Sequence, residues 1–307
     1  MSTQTNHPPI DFANLMDLRI DYAFKLIFGK GDQLSLASLV SLLNAIFANK
    51  QMNRVVKTVI IKNPFLEKET ATDKLSVLDI RAELEDGTIV LIEMHLQGMG
   101  ELKAKTIRSW ARVYSEELEE GSRYNAQPPT ISIAFTNGGV PSLYPSQSPD
   151  KIHRLCMITD CEDGTVFTDA MELHYIDMKA FAKAVNASDT ITLEGTPEQM
   201  FAKWLSIITQ KEITNKSLIQ TIYNHEEDIR MAIATLAQQS EDKIIRHAYQ
   251  RRKDELYFHN KEKHDFQVKL TEQATKLAEQ ATKLAEQNTK LAELEALVAT
   301  LRLEREK

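Results

Sequence analysis

Cysteine is scarce in this chain: Cys156 and Cys161 are the only two in 307 residues. With no second Cys or His pair at finger spacing nearby, they exclude a zinc-finger framework. Reduced thiols and a cytoplasmic location are the expectation. Long apolar runs are missing too. No stretch reaches the roughly 20 residues that span a bilayer, so no membrane association is expected. The opening residues, Met1 to Pro9, lack the basic and apolar parts of a signal peptide. Residues 1–16 read as a flexible leader. Positive charge is in deficit, with 37 Lys and Arg against 44 Asp and Glu for a net −7. That balance counts against a broad surface coating nucleic acid non-specifically, and leaves local phosphate contact open. The 42% of apolar residues allows a sizeable core, in one large or two small domains plus a tail.

Two strand-like runs carry the chemistry, Ser76 to Leu84 and Ile89 to Gln97. Between them lies Glu85-Asp86-Gly87-Thr88, a hairpin signal because Asp-Gly tolerates positive φ. Asp79 and Glu93 sit among Val, Leu and Ile. Strand interiors disfavour Asp, and a carboxylate there is costly unless it is paired or binds a metal. A two-residue Asp86-Gly87 turn would set Asp79 opposite Met94, on the wrong face. A three-residue loop, Glu85 to Gly87 with Gly87 in a G1 bulge, sets Asp79 opposite Glu93. His95 and Gln97 then follow Glu93 on its face, because side chains alternate with period two. A half-exposed hairpin with solvated Asp and Glu shows the same alternation, and His95 taken alone also fits an ordinary half-buried histidine.

The order of several segments resembles a known family. Asp21 to Gly29, Leu42 to Ile46, the Asp79–His95 hairpin and Lys105 to Gly121 resemble, in order and spacing, the Rpn recombination-promoting nucleases and putative transposases of the PD-(D/E)XK superfamily. Leu173 to Met178 is similar as well. The resemblance runs from about Asp17 to Phe181 and continues more weakly to about Tyr249. It implies an α/β, restriction-endonuclease-like mixed sheet flanked by helices, and a metal-dependent DNA endonuclease linked to recombination or transposition. Asp79 and Glu93 would hold Mg²⁺ (or Mn²⁺), with the Met94 carbonyl as a further oxygen ligand. His95 would orient or help deprotonate the attacking water. It departs from the family's usual Gln, and imidazole titrates near neutrality. Asp21 is a third catalytic candidate, although Asp before Tyr-Ala-Phe-Lys also reads as a helix N-cap.

DNA contact has four candidates. Lys25 could approach phosphate, or be a solvated helix lysine. Lys105, Arg108 and Arg112 recur at spacings of three and four along one helix face. They suit phosphate contact or a solvated basic face beside the aromatic stripe of Trp110 and Tyr114. A different class of function stays open: a catalytically inactive, nuclease-derived DNA- or protein-binding scaffold.

The expected domains are a nuclease-like domain over 17–180, a helical region over 181–265 and a coiled-coil tail over 266–307. The periodicity predicts helices over 21–28, 34–48, 101–120, 179–185, 197–209 and 224–238. Strands are expected over 55–62, 76–84, 89–97, 130–135, 152–159 and 171–177. In the tail, Leu270, Leu277, Leu284, Leu291 and Val298 keep a strict seven-residue period, with Ala274, Ala281 and Asn288 as companions. That pattern implies a left-handed coiled coil, hence a homodimer. Alanine-rich seams are weak, so a lone exposed helix is the competing reading.

Overall fold

The computed structural model describes residues 10–62, 80–96, 99–117, 121, 123–138, 152–188 and 197–305. Two compact units emerge, 1–252 and 253–307.

The first unit is organised by one six-stranded sheet. Its strands are β1 (Val59–Ile61), β2 (Ile80–Leu84), β3 (Ile89–His95), β4 (Thr130–Thr136), β5 (His153–Thr159) and β6 (Val166–Asp177), in the spatial order β1-β2-β3-β4-β6-β5. β3, β4 and β6 are parallel to one another, and the flanking pairs are antiparallel. This is the expected mixed sheet. Every residue of β4 is buried, as a central strand covered on both faces requires.

The helices of this unit are α1 (Asp21–Phe28), α2 (Gln33–Ala48), α3 (Leu102–Glu116), α4 (Met178–Ala187), α5 (Pro197–Ile208), α6 (Lys216–His225) and α7 (Glu227–Glu241). α1 packs on the face that carries Ile80, Ile92 and Phe135. Phe24 meets Phe135 at 5.8 Å between ring centroids, and a Cβ on Gly29 would lie 3.4 Å from Ile80. α2 and α5 join that side, where Phe28 packs edge-on to Trp204 and the Trp204 indole donates to Ser41. α3 covers the opposite face: Leu102 clusters with Ala134, Leu173 and Tyr175, and Val113 with Ile89 and Leu91. Local sequence sets the helix starts. Asp32 accepts the Ser35 amide at 2.8 Å, Asp177 the Ala180 amide at 2.9 Å, and Asn215 the Leu218 amide at 3.3 Å.

Some elements depart from expectation. The 55–62 strand shrinks to Val59–Ile61, since Val55 and Ile60 are exposed and offer little to bury. β6 begins at Val166, because Asp160 to Gly164 turn the chain tightly enough to pair it with β5 from the tip. The final stretch of the expected leader is packed: Phe12, Leu15 and Met16 are buried, Met16 N–H donates to Ser240 Oγ, and Asp17 N–H to the Tyr249 hydroxyl.

α8 (Lys243–Arg305) is one helix of 63 residues that runs on into the second unit. In that unit Leu270, Leu277, Leu284, Leu291 and Val298 are all exposed. Glu279–Lys283 and Glu286–Lys290 are spaced to support the helix along its outer face. Among the described residues no single helix is long and apolar enough to cross a membrane.

Candidate active site

The β2–β3 loop fixes what the hairpin can assemble. Gly87 has φ +85°, its N–H donates to Leu84 O at 3.0 Å, and Leu84 N–H donates to Thr88 O at 2.9 Å. This is the three-residue loop, Glu85 to Gly87, and it sets Ile80 opposite Ile92 and Ala82 opposite Val90. That register is the one a pairing of Asp79 with Glu93 requires. Asp79 itself, like Gln97, lies outside the described residues.

Glu93 and His95 point to the α3 side of the sheet. Glu93 is 3% exposed, and its Oε2 lies 2.9 Å from His95 Nε2. Its other oxygen, Oε1, is buried with no hydrogen-bond partner among the described residues. A carboxylate oxygen in that state is expensive unless something positive or a donor completes it. The donor set therefore suits a hard divalent ion: one carboxylate oxygen is open, and the other is steadied by an imidazole. Among the described residues no group of three or more His, Cys, Asp or Glu stands together to hold a metal.

In the parallel ladder Glu93 pairs with Ala134, and Ala134 with Tyr175. Burial pushes the Tyr175 phenol up to about 12, and the Cys156 and Glu93 charges push the same way. Thr106, from α3, faces that hydroxyl and pulls it the other way, while its Oγ1 is buried without a full hydrogen bond among the described residues. Sequence reasoning passed over Tyr175 and Thr106. Their one local signal is a polar Thr106 between Leu102 and Trp110 on the buried stripe of α3.

The other candidates divide. Lys105, Arg108 and Arg112 line the exposed side of α3, the helix over the Glu93 face. Lys105 pairs with Glu101 at 3.2 Å and Arg112 with Glu116 at 3.6 Å. Arg81 ties β2 to the end of this helix through Glu116 and Glu117. Asp21 and Lys25 belong to α1, on the opposite face from Glu93. Asp21 does not cap: the N-cap is Ile20, and the carboxylate takes its own helix's Tyr22 amide at 2.8 Å. Its remaining capacity goes to Arg252, which grips both oxygens at 2.6–3.0 Å. Lys25 is buried rather than solvated.

A second buried polar cluster lies on the α1/α2 face, between β5, β6 and the end of α2. Arg54 binds Glu172 through two hydrogen bonds of 2.9 and 3.1 Å and lies over the Phe47 ring. His174 Nδ1 meets His153 Nε2 at 2.9 Å, and His153 Nδ1 meets the Asn49 amide at 2.8 Å. Asn49 donates its N–H₂ to His153, which then donates from Nε2 to His174 Nδ1, while His174 Nε2 faces Glu172 at 3.7 Å, beyond hydrogen-bond distance. Burial, with His174 and Lys50 nearby, drives His153 down to about 2, and burial lowers His174 as well. Burial alone would raise Glu172, but His174 and Arg54 outweigh it and hold the carboxyl low.

Residues 18–272 match the family model described as PD-(D/E)XK nuclease family transposase. No curated protein and no solved structure matches the chain significantly.

Proposed function

Because the chain belongs to the PD-(D/E)XK nuclease family transposases, we propose that it is a metal-dependent endonuclease that hydrolyses DNA phosphodiester bonds. The observation that carries this reading is the open, buried Glu93 Oε1 beside a carboxylate oxygen already held by His95. Asp79 is the proposed second ligand. The Ile80–Ile92 register is the one that this pairing requires, which supports it. Mg²⁺ or Mn²⁺ at these carboxylates would activate water and stabilise charge on the phosphoryl oxygens.

The chain's own groups do the rest. Glu93 supplies fixed negative charge at no cost of reorganisation, because β3 and β4 lock its backbone. His95 holds one carboxylate oxygen in place and presents its ring where an attacking water would be oriented. Lys105, Arg108 and Arg112 offer phosphate contacts on the helix above, which keeps positive charge local in an acidic chain. The heptad leucines of the tail bring two chains together as a homodimer, because a lone helix leaves that stripe in water.

Cleavage of duplex DNA with and without Mg²⁺, by wild type and Glu93→Gln, tests the reading. Metal-dependent cleavage lost in the variant supports it. Wild-type protein that binds DNA but never cleaves it would favour the inactive scaffold instead. Sedimentation of full-length protein, a chain lacking residues 266–307 and Asn288→Leu tests the dimer. Truncation should weaken association and Asn288→Leu should raise the stoichiometry. A full-length protein that stays monomeric at micromolar concentration contradicts it.

A further inference from the structure

Helix α3 carries two unlike stripes on its surface, and the proposed chemistry uses only the basic one. At 3.6 residues per turn, Lys103, Ile107, Trp110 and Tyr114 follow one line along the helix, and Lys105, Arg108 and Arg112 follow another. Ala104, Ala111 and Ser115 lie between the two lines, all exposed. A shallow floor of small side chains therefore runs between an aromatic wall and a cationic wall. The aromatic wall is fixed in place. Trp110 packs on the cluster of Leu102, Ala134, Leu173 and Tyr175, and its indole N–H donates to Thr130 O at 3.0 Å. Tyr114 stacks on that indole, with ring centroids 4.9 Å apart and planes 16° from parallel. Both rings stay half-buried, and Ile107 beside them is 46% exposed. A stripe serving the core alone would be covered, whereas this one is anchored on its inner side and left partly in water.

We infer that the Trp110–Tyr114 stack is a docking site for an unpaired base of a DNA strand whose phosphates run along Lys105, Arg108 and Arg112. The inference rests on the nuclease reading, and it narrows the substrate to DNA with a single-stranded stretch. Charge complementarity selects this occupant, because the line across the helix from the rings is cationic in a chain of net charge −7. The Lys105–Glu101 and Arg112–Glu116 pairs are exposed and weak, so a phosphate can displace them. An unpaired base extends an aromatic stack whatever its identity, since every base has a π-face. In an intact duplex those faces are closed against neighbouring bases. Only residues 96–101 separate His95 from the start of α3, so a strand lying along this helix leads to the end of the sheet that carries Glu93.

The test is titration of the full-length protein with a labelled single-stranded oligonucleotide and with the same sequence as a blunt duplex, in chelator so that nothing is cleaved. Anisotropy of the label reads affinity, and tryptophan emission reads contact. The other tryptophan, Trp204, is wholly buried, so quenching reports Trp110. Wild type should bind the single strand more tightly than the duplex, with quenching. Tyr114→Ala should weaken single-strand binding by about 10-fold, and Tyr114→Phe should keep it, because stacking needs the ring and not the hydroxyl. Ala111→Glu, at an exposed position, should weaken it as well, which keeps the test sound even if the tyrosine variant folds poorly. Tyr257→Ala, which removes an exposed aromatic of the second unit, should bind like wild type. If Tyr114→Ala and Ala111→Glu both bind the single strand as wild type does, this inference falls, and metal-dependent cleavage lost in Glu93→Gln still upholds the nuclease reading. If wild type neither binds nor cleaves either DNA, both fall.

Discussion

Glu93 and Glu172 stand on opposite faces of one sheet, 3% and 1% exposed, and the protein completes them differently. Glu172 receives a two-pronged Arg54 and stands 3.7 Å from His174, with that histidine ordered by His153 and Asn49. Among the described residues Glu93 receives one imidazole, and its second oxygen has no hydrogen-bond partner. Burial is therefore not what marks a functional carboxylate here. Both lose water, and among the described residues Glu172 has the fuller set of partners. Under the proposed function the open oxygen of Glu93 is where the metal would bind.

Exchanging each for Gln breaks the comparison in opposite directions. Glu93→Gln should reduce metal-dependent cleavage by about 100-fold or more, since several kcal/mol of charge stabilisation go with it. Its stability should hold or rise, because a poorly compensated buried charge is removed. Glu172→Gln should leave Arg54 without its counter-charge and cost about 3 kcal/mol in chemical unfolding. Equal behaviour of the two variants in both assays would erase the distinction.

Acid sharpens the contrast next. His153 and His174 stay neutral in the fold, whereas in the unfolded chain they take up protons near pH 6.5. Below that pH the unfolded state binds more protons, so the stability is whole above it and falls as pH drops. Between pH 7.5 and 5.5 His153 should cost about 1.4 kcal/mol, and His174 adds to the loss in the same direction. The depressed Glu172 carboxyl adds to the loss only at still lower pH. Urea unfolding at the two pH values reads this, and no difference would mean the imidazoles are not held neutral.

The smallest effect concerns Asp21. Its double contact with Arg252 supports a role in anchoring α8 on α1. Asp21→Asn should cost about 1 kcal/mol, as a partly exposed ion pair does. Cleavage should persist at an unchanged rate. The exchanged pair Asp21→Arg with Arg252→Asp should recover part of the stability in a double-mutant cycle. Loss of cleavage at full stability would return Asp21 to the site.

Much of the Glu93 side was legible in the sequence because it is local. The Glu85-Asp86-Gly87 loop fixes the hairpin register by its length and by one positive-φ glycine, so the face of Glu93 and His95 followed from counting. Central β4 was legible as a short strand following Pro128-Pro129. The Glu172 cluster was not, because Asn49, Arg54, His153 and His174 meet only through tertiary packing and none has a periodic signature. Tyr175 and Thr106 share that difficulty: their meeting depends on which strand lies beside β4, and a single sequence does not order a sheet. α6 escaped notice although Asn215 caps it and Ile219, Ile222 and Tyr223 mark its buried stripe, because ten residues make a short window. Asp21 reads as a cap by residue type, yet its partner lies 231 residues away.

The most direct test of the open carboxylate is a crystal of the full-length protein grown with Mn²⁺, examined by anomalous scattering at the manganese edge. The account predicts a peak within about 2.2 Å of Glu93 Oε1, a hard-ion ligand distance, and none at Glu172. A manganese peak elsewhere with Glu93 unliganded, or no peak at saturating Mn²⁺, would contradict it.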